Sequence, residues 1–140
     1  MPPVPLDELF EATSPLAVRL AAQPMTSPTK LMEHAWALLP QLSDSEKVAT
    51  LNAHPRIGEN RHRVSERSRR EQGGDTVLEL DQLNREYERK FGFRFVVFVN
   101  RRPKAEIAEV LRDRLRRSRA EELEEGLRAI LEIAEDRLRT

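Results

Sequence analysis

Three groups of residues in this 140-residue sequence have the types and spacing that acid–base or recognition chemistry uses. His54 stands directly before Pro55. Proline restricts the backbone of the residue ahead of it, so the imidazole leaves the chain in a defined direction. Such a histidine can serve as a general acid or base, or it can cap a helix end or lie in a loop. His34 and His62 have no comparable context. Ser68, Glu71 and Gln72 follow the spacing that puts a hydroxyl, a carboxylate and an amide on one helical face. That face can read the donors and acceptors of a small polar molecule. A solvated surface helix, with Arg67, Arg69 and Arg70 around Glu66 and Glu71, has the same pattern. Arg137 continues the apolar register of Ile130 and Ala134, and a guanidinium there needs an anion. An interior acid, a route to the rim or a bound carboxylate would each answer that need. The arginines from Arg112 to Arg119 sit near the acidic run Glu121 to Glu125, the pattern of solvated helix faces.

The elements that must position these residues are helices. Pro5 to Ala12 and Pro15 to Gln23 read as short amphipathic helices forming an arm or lid, the second with Ser14 as N-cap and proline at its first position. Ser27-Pro28 repeats that start before Leu31, Ala35, Leu38 and Leu39, and Pro40 closes the helix, with Trp36 at its edge. Ser43 and Glu46 form a capping-box pattern for a helix from about Asp44 to Asn52, which leaves His54 just past its end. Ser65 can cap a polar helix ending at Gly73-Gly74. Asp75 opens a longer helix with Leu80, Leu83, Tyr87 and Phe91 on one face. Pro103 and Ser118 start the last two, the final one carrying Leu123, Leu127, Ile130, Ala134 and Leu138 inward. Only Phe93 to Asn100 has the β-branched and aromatic composition of a strand. It is either a buried extended connector, its backbone donors paired outside a sheet, or the partner of a second strand. The fold class expected is all-α, a single-domain helical bundle over 1–140 with one such connector.

Composition narrows the chemistry. With no cysteine there is no disulfide framework, thiolate zinc site or cysteine nucleophile. No His/Cys cluster has metal-ligand spacing, no glycine-rich phosphate loop occurs, and no lysine stands in a recognisable cofactor context. The 24 basic and 24 acidic residues cancel, which argues against whole-molecule attraction to nucleic acid or an anionic membrane. No apolar run is longer than Phe95–Val99, against the roughly 18 residues of a membrane span. No secretory signal pattern precedes Pro5, and a cytoplasmic location is the default expectation.

Taken in order, these features resemble one family, 2-oxo-4-hydroxy-4-carboxy-5-ureidoimidazoline (OHCU) decarboxylase, which yields S-allantoin in urate degradation. The resemblance runs from Ser14-Pro15 through Ala53-His54-Pro55-Arg56-Ile57-Gly58-Glu59 and Ser68-Arg69-Arg70-Glu71-Gln72 to Leu83-Asn84-Arg85-Glu86-Tyr87. It continues in Lys90-Phe91-Gly92-Phe93-Arg94-Phe95 and ends in Ile133-Ala134-Glu135-Asp136-Arg137-Leu138. The chain departs from the family pattern in two places: Arg94 stands where proline is frequent, and Arg56-Ile57 where Asp-Leu is frequent.

The resemblance implies a bundle of about eight or more helices, a homodimer, and a cofactor-free decarboxylation of the ureidoimidazoline. It implies His54 as the catalytic histidine, Glu71 and Gln72 as the pair that binds and orients the substrate, and Ser68 on the same binding helix. Pro55 would lie beside the imidazole. Phe95 and Val97 would belong to a hydrophobic wall with main-chain hydrogen bonds, and Arg137 would meet an anionic or carbonyl group. Two other readings fit the sequence: a helical relative with changed or lost activity, and a binding module using Arg61, Arg63, Arg67, Arg69 and Arg70 to grip a phosphate backbone.

Overall fold

The computed structural model describes residues 3–57 and 74–139. Among them are seven α-helices and no strand: α1 (Leu6–Leu9), α2 (Pro15–Ala21), α3 (Pro28–Leu38), α4 (Asp44–Ala53), α5 (Gly74–Phe91), α6 (Lys104–Arg114) and α7 (Arg119–Arg139). A single 3-10 turn, Leu39–Gln41, follows α3. The architecture is all-α, as the sequence predicts. The helix expected between Ser65 and Gly73 lies outside the described residues.

The starts are made by local side chains. Ser14 Oγ accepts from Ala17 N at 3.2 Å and Ser27 Oγ from Lys30 N at 3.3 Å, each ahead of a proline at the first helical position. Pro40 stops α3 by tightening its last turn into the 3-10 geometry. Ser43 and Glu46 complete the capping box in both directions, at 3.1 Å and 3.0 Å. At α7, Ser118 Oγ accepts from Glu121 N and Glu121 Oε1 from Ser118 N, both at 3.1 Å.

α7 is the spine: α1, α3 and α4 pack along it, while α5 packs on α6 and α2 joins α1, α3 and α4. Leu123, Leu127, Ile130 and Ala134 of α7, with Leu80, Leu83, Tyr87 and Phe91 of α5, are buried in one continuous apolar cluster. Each such leucine contributes about 1.5–3 kcal/mol on leaving water. The α4–α7 crossing is close because residue 126 is glycine. A Cβ there would stand 2.8 Å from Leu51 Cδ2, and Leu51 is fully buried. This contact pins the last turn of α4, and so the origin of His54.

The chain leaves α5 through Gly92 in the left-handed region (φ 82°), its N–H donating to Glu88 O at 2.9 Å. Residues 93–99 then run with neither helix nor strand assignment, so the segment is a connector rather than a paired strand. Its first half is buried at Phe93, Phe95 and Val96. It ends in a turn at Asn100 and Arg101, both with positive φ, closed by Arg102 N to Val99 O at 3.0 Å. No described helix is long and apolar enough to cross a membrane.

Candidate functional site

His54 is the first residue past α4. Its N–H still donates to Leu51 O at 3.1 Å, but its backbone is already extended (φ −77°, ψ 138°), the conformation that Pro55 imposes. The ring Nδ1 lies 3.0 Å from Pro55 O. A carbonyl can only accept, so Nδ1 carries the proton and the lone pair of the neutral ring is on Nε2. Nε2 is buried and has no hydrogen-bond partner among the described residues. Burial pushes the imidazole pKa below its ordinary 6.5. The Pro55 carbonyl and Glu11 oppose that shift, while the positive charges of Arg137 and Arg94 reinforce it. The geometry is that of a base held neutral, its lone pair on Nε2.

The imidazole borders a cleft of about 360 Å3 whose other walls are the connector from Phe95 to Asn100 and the α7 residues Ile133, Asp136 and Arg137. On its far side, toward Glu11, Ser14 and Thr50, the remaining space is only about 10 Å3. The cleft falls in the size range of small-molecule sites. Arg137 is exposed at the rim, and its Nη1 donates to Leu9 O at 2.9 Å, tying α7 to the end of α1. Of the three answers open in the sequence, the rim is one that the coordinates support: the stem follows the apolar register and the head reaches outward.

Arginines hold the walls. Arg94 gives its backbone N–H to Asn52 Oδ1 and its Nη1 to His54 O, both at 2.9 Å. Arg56 meets the two carboxylate oxygens of Glu88 on α5 at 2.7 and 3.0 Å. Arg102 bonds the Phe98 and Val99 carbonyls. Behind the connector, Arg114 donates to Val96 O at 2.9 Å and to Glu122 Oε1 at 2.7 Å, and its guanidinium lies 4.6 Å from the centre of the Phe95 ring. Tyr87 donates to the same Glu122 oxygen at 2.7 Å, and burial, with Glu122, holds its phenol far above the usual range.

The family model for OHCU decarboxylase matches residues 5–139. The chain belongs to the OHCU decarboxylase family. It is 30% identical over 142 residues to the uric acid degradation bifunctional protein of Bacillus sp. (strain TB-90), covering 95% of this chain but 28% of that one. It is 29% identical over 127 residues to 2-oxo-4-hydroxy-4-carboxy-5-ureidoimidazoline decarboxylase of Xenopus laevis, covering 83% of this chain and 73% of that one. Its fold is that of a crystal structure of OHCU decarboxylase in the presence of (S)-allantoin, with a TM-score of 0.72 at 22% identity over 91% of this chain and 89% of the other.

Within this family fold, His54, Pro55, Phe95, Val97 and Arg137 meet around one cleft although up to 83 positions separate them. Ser68, Glu71 and Gln72 lie outside the described residues. Phe95 reaches the cleft wall but is 1% exposed, its ring edge-on to Tyr87 with centroids 5.2 Å apart, so it supports the wall from the core. Val97 is half-buried.

One sequence expectation is corrected. Arg114 does not belong to a solvated face: its side chain is 7% exposed, and its partner Glu122 is fully buried. The missed signal was on α7, where Glu122 shares a stripe with Gly126 and Ala129, small buried residues that let the helix approach its neighbours.

Proposed function

We propose that this chain is a decarboxylase acting on 2-oxo-4-hydroxy-4-carboxy-5-ureidoimidazoline and yielding (S)-allantoin in urate degradation, with His54 as its general acid–base residue. Family membership supports the reaction. The single observation that carries the residue assignment is the buried Nε2 of His54, unpartnered among the described residues beside a cleft of substrate size.

In this reading the carboxylate is held out of the ring plane. The bond to carbon dioxide breaks, its electron pair moves into the ring's conjugated C=N system, and one proton returns to a ring carbon on a single face. The ring is the electron sink, so the step needs no cofactor or metal. His54 Nε2, unprotonated in the resting ring, takes up a proton from the substrate's hydroxyl or carboxyl and helps deliver one to the product. Arg137 meets an anionic or carbonyl group at the rim, and the connector with Pro55 and Val97 shields one face. Glu71, Gln72 and Ser68 complete the site by the family resemblance, the first two orienting the ring and its ureido arm. We assign the whole of 1–140 to one decarboxylase unit, working as a cytoplasmic homodimer.

The test is to generate the unstable ureidoimidazoline from urate in situ, add the purified protein, and follow substrate loss with the circular dichroism of allantoin. Rapid formation of optically active (S)-allantoin, abolished in a folded His54→Ala variant, is expected. Only the slow racemic background would overturn the reading and favour a relative with changed activity; near-normal turnover in His54→Ala would remove His54 from the mechanism.

A further inference from the structure

A residue that ends a helix and also carries the reactive ring has a difficulty. The last carbonyls of a helix have no partner within it, and the turn that follows is free to swing unless another part of the chain bonds it. In α4 the carbonyl at stake is that of His54 itself, and the element that bonds it is the connector. Arg94 spans the gap twice. Its main-chain N–H binds the Asn52 side chain on the last turn of α4, and its guanidinium binds the His54 carbonyl, both at 2.9 Å. A proline at position 94 could make neither bond. The ring direction is set one residue further on, by Nδ1 to Pro55 O, and the next residue, Arg56, is anchored to Glu88 of α5 through both carboxylate oxygens. The turn carrying the imidazole is therefore fastened on one side to the cleft wall and on the other to α5.

We propose that Arg94 is a positioning residue for His54: by binding its carbonyl, Arg94 locks the turn that carries the imidazole and keeps the ring and the connector wall in register. The inference rests on the reading of His54 as the acid–base group. Arg94 acts through the backbone of His54 and is no part of the cleft lining. Its charge has a second effect. The charged groups that face the imidazole are Glu11 from the α1–α2 connection, Asp136 and Arg137 from α7, and Arg94 from the connector, with Arg56 neutralised by Glu88 beside the turn. Arg94 and Arg137 both favour the neutral ring, so removing Arg94 leaves Glu11 less opposed and moves the imidazole titration upward.

The experiment compares Arg94→Ala, Arg94→Lys and Asn52→Ala with the parent protein in two readouts. The first is the pH profile of kcat and KM with substrate generated in situ. The second is the NMR titration of the His54 ring proton, assigned against the His54→Gln spectrum. For Arg94→Ala the expected result is a kcat loss of roughly ten- to hundredfold, as for a displaced catalytic group, with KM changed much less and with the acid limb and the ring titration both shifted upward. Arg94→Lys keeps the charge without the planar fork, so the titration should return toward the parent value while kcat is only partly restored. Asn52→Ala removes the main-chain link alone and should lower kcat without moving the titration. An Arg94→Ala variant with parental kcat and parental titration would overturn the proposal, as would one that lost only thermal stability. If the parent protein showed no decarboxylation, an upward titration shift in Arg94→Ala would still uphold the Arg94–His54 coupling and would assign the failure to the proposed reaction.

Discussion

Arg114 and Glu122 form an ion pair of 2.7 Å inside the core, with side chains 7% and 0% exposed. The pair is buttressed by Tyr87, by the ring of Phe95 and by the Val96 carbonyl, so it joins α5, α6 and α7 to the rear of the cleft wall. Charges so deep in a protein stabilise little as a pair, but either one alone is costly. Glu122→Ala is expected to lose about 3–5 kcal/mol in urea unfolding, with much of it regained in the double variant Arg114→Met, Glu122→Leu. A loss in Glu122→Ala no larger than that of a surface substitution would show the pair to be solvated.

Tyr87→Phe isolates the neutral member of the same cluster. It keeps the ring contacts with Phe91 and Phe95 and deletes only the donor to Glu122. A cost of roughly 1.5–3 kcal/mol is expected, the range for a hydrogen bond to a charged group. Equal stability of parent and variant in thermal melts would mean that Arg114 alone satisfies that oxygen.

The depressed pKa of His54 fixes the sign of a pH effect. As pH falls below 6.5 the unfolded chain protonates this imidazole before the folded chain does, so the unfolded state binds more protons and stability falls. Above 6.5 both states carry the neutral ring and the contribution is flat. Unfolding free energy measured between pH 7 and 5 should decline less in His54→Gln than in the parent. The acid limb of kcat/KM should likewise lie below 6.5, and a limb above it would contradict the neutral resting ring.

Arg137 reaches the rim of the cleft while donating to Leu9 O. Replacing it by alanine is expected to raise KM about tenfold or more, the loss of one charge-assisted hydrogen bond of roughly 1.5–3 kcal/mol. Stability should change by no more than about 1 kcal/mol. Steady-state kinetics with unchanged KM would remove Arg137 from substrate recognition.

The capping box tests the frame rather than the chemistry. Ser43→Ala deletes the acceptor for Glu46 N and is expected to cost about 1 kcal/mol of stability, read as a lowered Tm, with kcat unchanged at a temperature where the chain stays folded.

Helix starts were readable because each is a contract between neighbours: Ser14 with Ala17, Ser43 with Glu46, and Ser118 with Glu121 are three residues apart, so the sequence states both partners. The apolar faces of α5 and α7 were readable for the same reason, through the helical period. His54 was marked by its proline. None of this local grammar reports which arginine of a charged helix turns inward. Arg114 and Arg112 have the same type and neighbouring registers, yet Arg112 stays exposed while Arg114 finds a buried carboxylate eight positions away, across a helix boundary. Nor does the sequence show that Arg94 reaches back 40 positions to the His54 carbonyl. Spacing within one helix is a property of the chain, and so the sequence alone determined the described helices and the place of His54 just past α4. Which charges are desolvated, and which turn is clamped to which wall, depend on how helices far apart in sequence pack. Only the tertiary structure decided those, because burial and long-range hydrogen bonds exist only once the elements have met.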